Sequence, residues 1–436
     1  MKSDEKTRER QAVDCAGILQ EGGRGPIMAP GRMKRFVLPQ IRESVASGTY
    51  EACTFDYEAP LPDGRTGRKA WTDIFRKAIP EFEKRARLQL VEDAASDEEE
   101  ITAGSRARSF AENFGRALDK LEANPNRVIP GFEAAFARDK GGRGLNCKVL
   151  CAVRETCLLM LGLRDAFKHV KRKENCGSLA ILGPILDEVD ALPGTPRDRM
   201  ELALRNCFAG NLFDLGAHFS SERYQEGGES REDDPLRHFR ADRENLPPRP
   251  WMLDCLEEAA EALSEAGRFR KAIVFADNAG ADLILGIFPF VRELLKAGTT
   301  VVLAANEKPA INDITAEELA ALFSRFSAAG APTVTDPLLC SACAEGRLRV
   351  VSSGSDLPII DLSMVSSGVV DEAEGADLII LQGMGRAIES NLNAKFSSAV
   401  LKMGVMKHPE VALCLGGKLG EPICKLELPE AQSLDR

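Results

Sequence analysis

Apolar and polar positions change rhythm once along this chain of 436 residues. Up to about residue 255 the apolar residues recur at the spacing of one helix face. WTDIFRKAIPEFEKRARLQL (71–90), SFAENFGRALDKLEAN (109–124), LNCKVLCAVRETCLLMLGLRDAFKHVKRKEN (145–175), GSLAILGPILDEVDAL (177–192) and RDRMELALRNCFAGNLFDLGAHF (197–219) read as helices, with Pro80 interrupting the first. Beyond residue 255, short apolar runs alternate with helical patterns. Lys271–Ala276 reads as a strand, Ala281–Ala297 as a helix closed at Gly298, and Thr299–Ala304 as a second strand. That is a βαβ unit, whose strands lie parallel with a right-handed crossover. Pro289, inside the helical pattern, predicts a kink or a late helix start. Leu348–Ser352 and Asp377–Leu381 add two strands, and AVLKMGVM (399–406) a final one ending at Lys407. The expected fold is α/β: a three-layer α/β/α, doubly wound, mostly parallel sheet with an N-terminal helical bundle.

Polar stretches divide this pattern. Residues 1–33, with EGGRGPIMAPGR, are rich in charge, Gly and Pro and predict a disordered extension. The acidic run EDAASDEEE (92–100) reads as part of a solvated, mobile insertion near 92–104. SSERYQEGGESREDDPLRHFRADRENLPPRP (220–250) reads as a mobile loop over about 220–248. The expected organisation is therefore the extension, a mostly helical layer over 34–255, and an α/β catalytic domain over 256–436.

Composition narrows the function classes. The net charge of −10, from 57 basic and 67 acidic residues, argues against a nucleic-acid surface. The first twenty residues hold no apolar run, and no apolar stretch is long enough to span a membrane, so a soluble, cytoplasmic protein is expected. The twelve cysteines read as reduced, mostly buried thiols. Cys340 and Cys343 form one CxxC, but no second pair or nearby His completes a zinc site. The four histidines are scattered, and His169 in FKHVKRK reads as part of a solvated basic face.

The candidate chemistry lies at the strand ends. In open parallel sheets, ligands bind beyond the carboxyl ends of the strands. Here the strands run into Asp277-Asn278, Asn306-Glu307 and Gln382-Gly383-Met384-Gly385-Arg386, and KPAINDIT (308–315) places Asp313 directly before a helix. Carboxylate and amide oxygens are hard ligands suited to Mg²⁺ or Mn²⁺. Asp277, Asn278 and Asp313 can converge on one cation, with Gly280 leaving room for backbone to approach a ligand. The competing reading is a turn at Asp277-Asn278 and a helix cap at Asp313. No GxGxxG follows the first strand, and no GxxxxGK[ST] or GxSxG occurs. Arg386, Lys407, a divalent cation and a helix amino terminus together suit a phosphate ester.

FADNAGADLILGIFPFVRELLKAGTTVVLAANEKPAINDIT resembles the metal-dependent damage-control phosphatases. So do FAGNLFDLG (208–216), RPWMLDC (249–255), GMGRAIESN (383–391) and MKHPEVALCLGGKL (406–419). The resemblance runs from about Thr49 to Cys424 and points to the plant-type and pantothenate kinase-fused branches. It implies an α/β/α domain beside a helical bundle. It also implies metal binding by Asp277, Asn278 and Asp313, with Mn²⁺, Ni²⁺, Co²⁺ or Mg²⁺, and catalytic roles for Asp277 and Asp313. Gly383, Gly385, Arg386 and Lys407 would contact the substrate phosphate. The implied reaction is hydrolysis of a small phosphorylated metabolite, 4′-phosphopantetheine or its damaged forms, with sugar phosphates as the alternative. A carboxyl methyltransferase and a catalytically silent regulator are the other classes. One departure is Gln382, where relatives usually carry Glu; a neutral amide cannot serve as a base.

Overall fold

The computed structural model describes residues 35–125, 128–136, 144–213, 234–327 and 336–429; the predicted disorder of residues 1–33 lies outside them. Among the described residues, β1 (Leu253–Asp254), β2 (Lys271–Phe275), β3 (Thr300–Ala305), β4 (Leu348–Ser352), β5 (Leu378–Gln382), β6 (Ala399–Val405) and β7 (Pro422–Glu427) form one sheet in the order β1-β7-β6-β5-β2-β3-β4. Every pairing is parallel except β6 with β7. The first winding therefore leaves β2 for β3 and β4, and the second returns to β5 on its other side. The crevice between them opens at the carboxyl end of β2, where doubly wound sheets bind ligands.

Strand β2 is apolar throughout because both of its faces are covered. Ile273 and Phe275 enter one core with residues from the long helices α1 (Gly67–Glu92), α2 (Asp97–Ala123) and α3 (Cys147–Met160). Ala272 and Val274 enter the other, with α4 (Lys168–Ala191) and α5 (Pro196–Phe213). The mostly helical half of the chain is thus divided between the two faces of the sheet.

Several local expectations are corrected. Helix α1 runs unbroken through Pro80, because Trp71, Phe82, Ala86 and Leu90 bury one long face against the core and outweigh the lost backbone bond. The acidic run is solvated and is part of a helix rather than a loop. Asp97–Glu100 form the first turn of α2, where the helix dipole favours negative charge. Ser96 Oγ accepts from the Glu99 amide at 3.3 Å, and Glu99 Oε2 from the Ala95 amide at 2.8 Å, a reciprocal cap. Within the expected loop near 220–248, Pro235–Glu244 is a helix capped by Asp234, and residues 214–233 lie outside the described residues. Pro289 does mark a late start: a π-helical turn over Asp282–Ile287 precedes the α-helix Phe288–Lys296. His169 is exposed and lies 3.1 Å from Glu92. The CSAC pair sits on the helix Pro337–Ala344, where burial raises both thiols, Cys343 to about 11. No helix among the described residues is long and apolar enough to cross a membrane.

Candidate active site

The chain beyond β2 is held from both sides. The Asp277 amide donates to Gln382 Oε1 at 3.1 Å, and its carbonyl accepts from the Ile314 amide at 3.0 Å. Asn278 and Asp313 face each other in an isolated antiparallel bridge, so the loop after β3 folds back across the end of β2. Helix Ala316–Ser327 is capped by Thr315, whose hydroxyl accepts from the Glu318 amide at 3.2 Å. Asp313 is therefore not the cap, and its side chain is directed to the site.

The carboxylates of Asp277 and Asp313, both buried, share the Arg386 guanidinium. Arg386 Nη1 donates to Asp277 Oδ1; Nη2 donates to Asp313 Oδ2 at 2.8 Å and to Asn306 Oδ1 at 3.0 Å. Asn306 Nδ2 in turn donates to Asp313 Oδ2 at 2.9 Å. Burial pulls the guanidinium pKa down, but Asp313 and Asp277 more than offset it. Arg386 was expected to meet the substrate phosphate; the structure engages its donors with these acidic side chains and Asn306.

A third buried carboxylate stands behind the first two. Asp282 accepts from Asn278 Nδ2 at 2.9 Å, from Asn211 Nδ2 at 2.9 Å and from Gln382 Nε2. Asn278 Nδ2 also donates to Asp277 at 2.8 Å. Gln382 thus accepts from one residue of this group and donates to another, which an ionised Glu could not do beside Asp282. Asn211, delivered by α5, also accepts from the Val405 amide at 3.1 Å and so ties that helix to β6 and to the site. Gly210 makes this approach possible, since a Cβ there would lie 2.7 Å from the Ala281 carbonyl. The roles of Asn211 and Asp282 were missed from the sequence, although both lie in quoted motifs; an Asn after a helix-packing Gly was the available signal.

Glycines make room for close neighbours around the site. Gly383 has φ +95°, and a Cβ there would fall 2.0 Å from Asp277 Oδ2, so it clears space for the carboxylate. Gly280 admits the Glu174 side chain rather than a ligand, and its amide donates to Asn175 Oδ1 at 2.7 Å. Gly385 packs its turn on the Pro358 carbonyl.

A cavity of about 450 Å³ opens over this group. Asp277, Asn278, Asp313, Gly385 and Lys407 line one side; Tyr57, Ile74, Phe75 and Phe82 line the other. Lys407 is buried two residues beyond β6, with its amide directed at Met384 Sδ, 3.2 Å away. Ile311, a β-branched residue at φ +49°, also lines the cavity and holds a strained turn next to Asn312 and Asp313. Two groups not anticipated complete the wall. Arg154 of α3 is 5% exposed, its guanidinium carbon 4.8 Å from the centre of the Phe82 ring. Burial pushes the Glu389 carboxyl up to about 7; Asp277 adds to the rise and Arg154 opposes it.

The donor set fits a hard cation. Among the described residues, no three His, Cys, Asp or Glu side chains group as metal ligands by themselves, so the candidate donors are two carboxylates and the Asn278 amide oxygen. Asn278 directs its Nδ2 to the carboxylates, which leaves Oδ1 as the atom it could offer a cation. Within the bonded group, one guanidinium stands between two carboxylates.

An α/β protein with an acidic, oxygen-rich strand-end site facing an apolar wall is the class that geometry defines. The sequence matches the family described as "Damage-control phosphatase ARMT1-like domain" over residues 66–423. The chain belongs to that family. It is 38% identical over 402 residues to a damage-control phosphatase of Arabidopsis thaliana, covering 91% of this chain and 97% of that one. It is 31% identical over 419 residues to 4′-phosphopantetheine phosphatase of Mus musculus, covering 85% of this chain but only 46% of that longer protein. A solved structure of a DUF89 family protein from Pyrococcus horikoshii gives a TM-score of 0.49 at 19% identity, over 80% of this chain and 97% of that one.

Proposed function

We propose that the protein is a metal-dependent phosphomonoester hydrolase acting on 4′-phosphopantetheine or its oxidised forms. The observation that carries this reading is the convergence of Asp277, Asn278 and Asp313 at one edge of a cavity that also holds Lys407. A divalent cation held there would neutralise phosphoryl oxygens and lower the pKa of an attacking water. Asp277, Asn278 and Asp313 would supply its protein ligands, with Arg386 and Asn306 fixing the two carboxylates. Lys407 would place an ammonium on the transferred phosphate. Glu389, titrating near neutral pH in the same cavity, has the acidity to exchange a proton with the departing alcohol.

The opposite wall favours the pantetheine chain over a sugar. Ile74, Phe75, Phe82 and Tyr57 offer apolar area and few partners for a ring of hydroxyls. The relative named 4′-phosphopantetheine phosphatase supports the same choice. A phosphate-release panel tests it: 4′-phosphopantetheine, its oxidised forms and sugar phosphates, each with Mn²⁺, Ni²⁺, Co²⁺ or Mg²⁺ and after EDTA. The expected result is metal-restored hydrolysis, fastest on the pantetheine phosphates. Full activity after exhaustive chelation would overturn the metal, and a preference for sugar phosphates the substrate.

A further inference from the structure

We propose that Arg154, contributed by the helical wall, is the guanidinium that grips the phosphoryl oxygens of the substrate. This rests on the phosphomonoester reading above and assigns that group a ligand from outside the α/β domain. A phosphate dianion calls for a planar fork of donors, which arginine supplies and lysine does not. The arginine next to the carboxylates cannot supply it, because both Nη atoms of Arg386 are bonded to Asp277, Asp313 and Asn306.

Among the described buried arginines, Arg154 is the one with a buried donor that no hydrogen bond engages. Its Nε donates to Glu155 Oε1 at 2.9 Å. Its Nη2 lies 2.9 Å from the same oxygen but makes no hydrogen bond to it or to any other described group. The residue is 5% exposed and lines the cavity that holds Asp277 and Asp313. The guanidinium plane is backed by Phe82, at 4.8 Å, and by Phe75, at 5.8 Å. Stacking of this kind holds a guanidinium in place. A buried, unmet donor is unfavourable in the ligand-free protein, and a bound oxyanion would satisfy it.

The test compares the full-length protein with Arg154→Gln and Arg154→Lys, all checked for matching thermal melts. Calorimetric titration with inorganic phosphate in Mn²⁺ buffer reads binding without turnover. Arg154→Gln should weaken phosphate at least about tenfold and lower kcat/KM by about 10²-fold. The loss should be equal for p-nitrophenyl phosphate, 4′-phosphopantetheine and a sugar phosphate. Arg154→Lys, which keeps the charge without the fork, should fall between; if the Gln variant does not fold, a severalfold weakening in the Lys variant carries the same meaning. Unchanged phosphate affinity, or a wild-type protein that binds no phosphate, would overturn the assignment. So would a loss confined to 4′-phosphopantetheine, because Arg154 would then read the organic part. Arg154-dependent phosphate binding in a protein that hydrolyses no phosphomonoester would sink the phosphatase reading and leave the assignment standing.

Discussion

The two sides of the cavity are built on opposite plans. On the sheet side, Asp277, Asp282, Asp313, Arg386, Asn211, Asn306 and Gln382 form one bonded group, in which each named side chain holds another. On the helical side, aromatic and aliphatic surface surrounds Arg154, which has an unbonded donor. Glu389 ends the π-helical turn after β5, and its carboxyl is raised by burial. The sheet side is preorganised, so charge can be handled without rearrangement at the moment of reaction. The helical side supplies apolar shape. Changes to the bonded group on the sheet side should therefore affect every substrate alike, and changes on the helical side, Arg154 excepted, should alter ranking.

The largest effect is expected at the shared carboxylate. Asp277→Asn keeps the shape and leaves Arg386 paired with Asp313, so the fold should survive. Phosphate release should fall by about 10³-fold or more, on the scale of losing a preorganised electrostatic group. A folded variant with wild-type turnover would break the assignment.

Next comes the arginine that separates the carboxylates. Arg386→Met leaves buried negative charge uncompensated and should destabilise the protein by about 3–5 kcal/mol in denaturant melts. If the same oxygens bind a divalent cation, added Mn²⁺ should raise the melting temperature more in this variant than in the wild type. Equal shifts would place the cation elsewhere.

Lys407→Ala should lower kcat/KM by about 10²-fold, since one charged hydrogen bond is lost. The loss should be the same for pantetheine and sugar phosphates. A loss on one substrate alone would move Lys407 from the phosphate to the organic moiety.

The smallest effect concerns Glu389, at the end of the turn after β5. The Glu389 carboxyl titrates near 7 in the folded protein, above its ordinary value of 4.5. A raised carboxyl pKa lowers stability as pH climbs from the unfolded value through the folded one, because the folded state resists ionisation. Glu389→Gln should therefore match the wild type below pH 4.5 and be more stable by about 1–2 kcal/mol above pH 7, with part of the shift screened by solvent in the cavity. Parallel melting curves across that range would show that Glu389 does not titrate there.

Much of this molecule was legible in the sequence. Alternating strand and helix patterns after residue 255 are local signals, and the apolar run of β2 reports burial on both faces, so the doubly wound sheet followed. The positions of Asp277, Asn278 and Asp313 followed too, because a polar pair ending a buried strand has few structural uses. What the sequence could not decide was partnership. Nothing local tells whether Arg386 meets a phosphate or two carboxylates, and the answer depends on β2, β3 and β5 lying side by side. Nor does periodicity show that α5 carries Asn211 into the site, that Gly383 clears Asp277, or that α3 sets Arg154 across the cavity. Spacing along the chain encodes which face of an element is buried. Which charges meet across that burial depends on contacts between residues more than a hundred positions apart, such as Asp277 with Arg386, and these exist only once the sheet has closed.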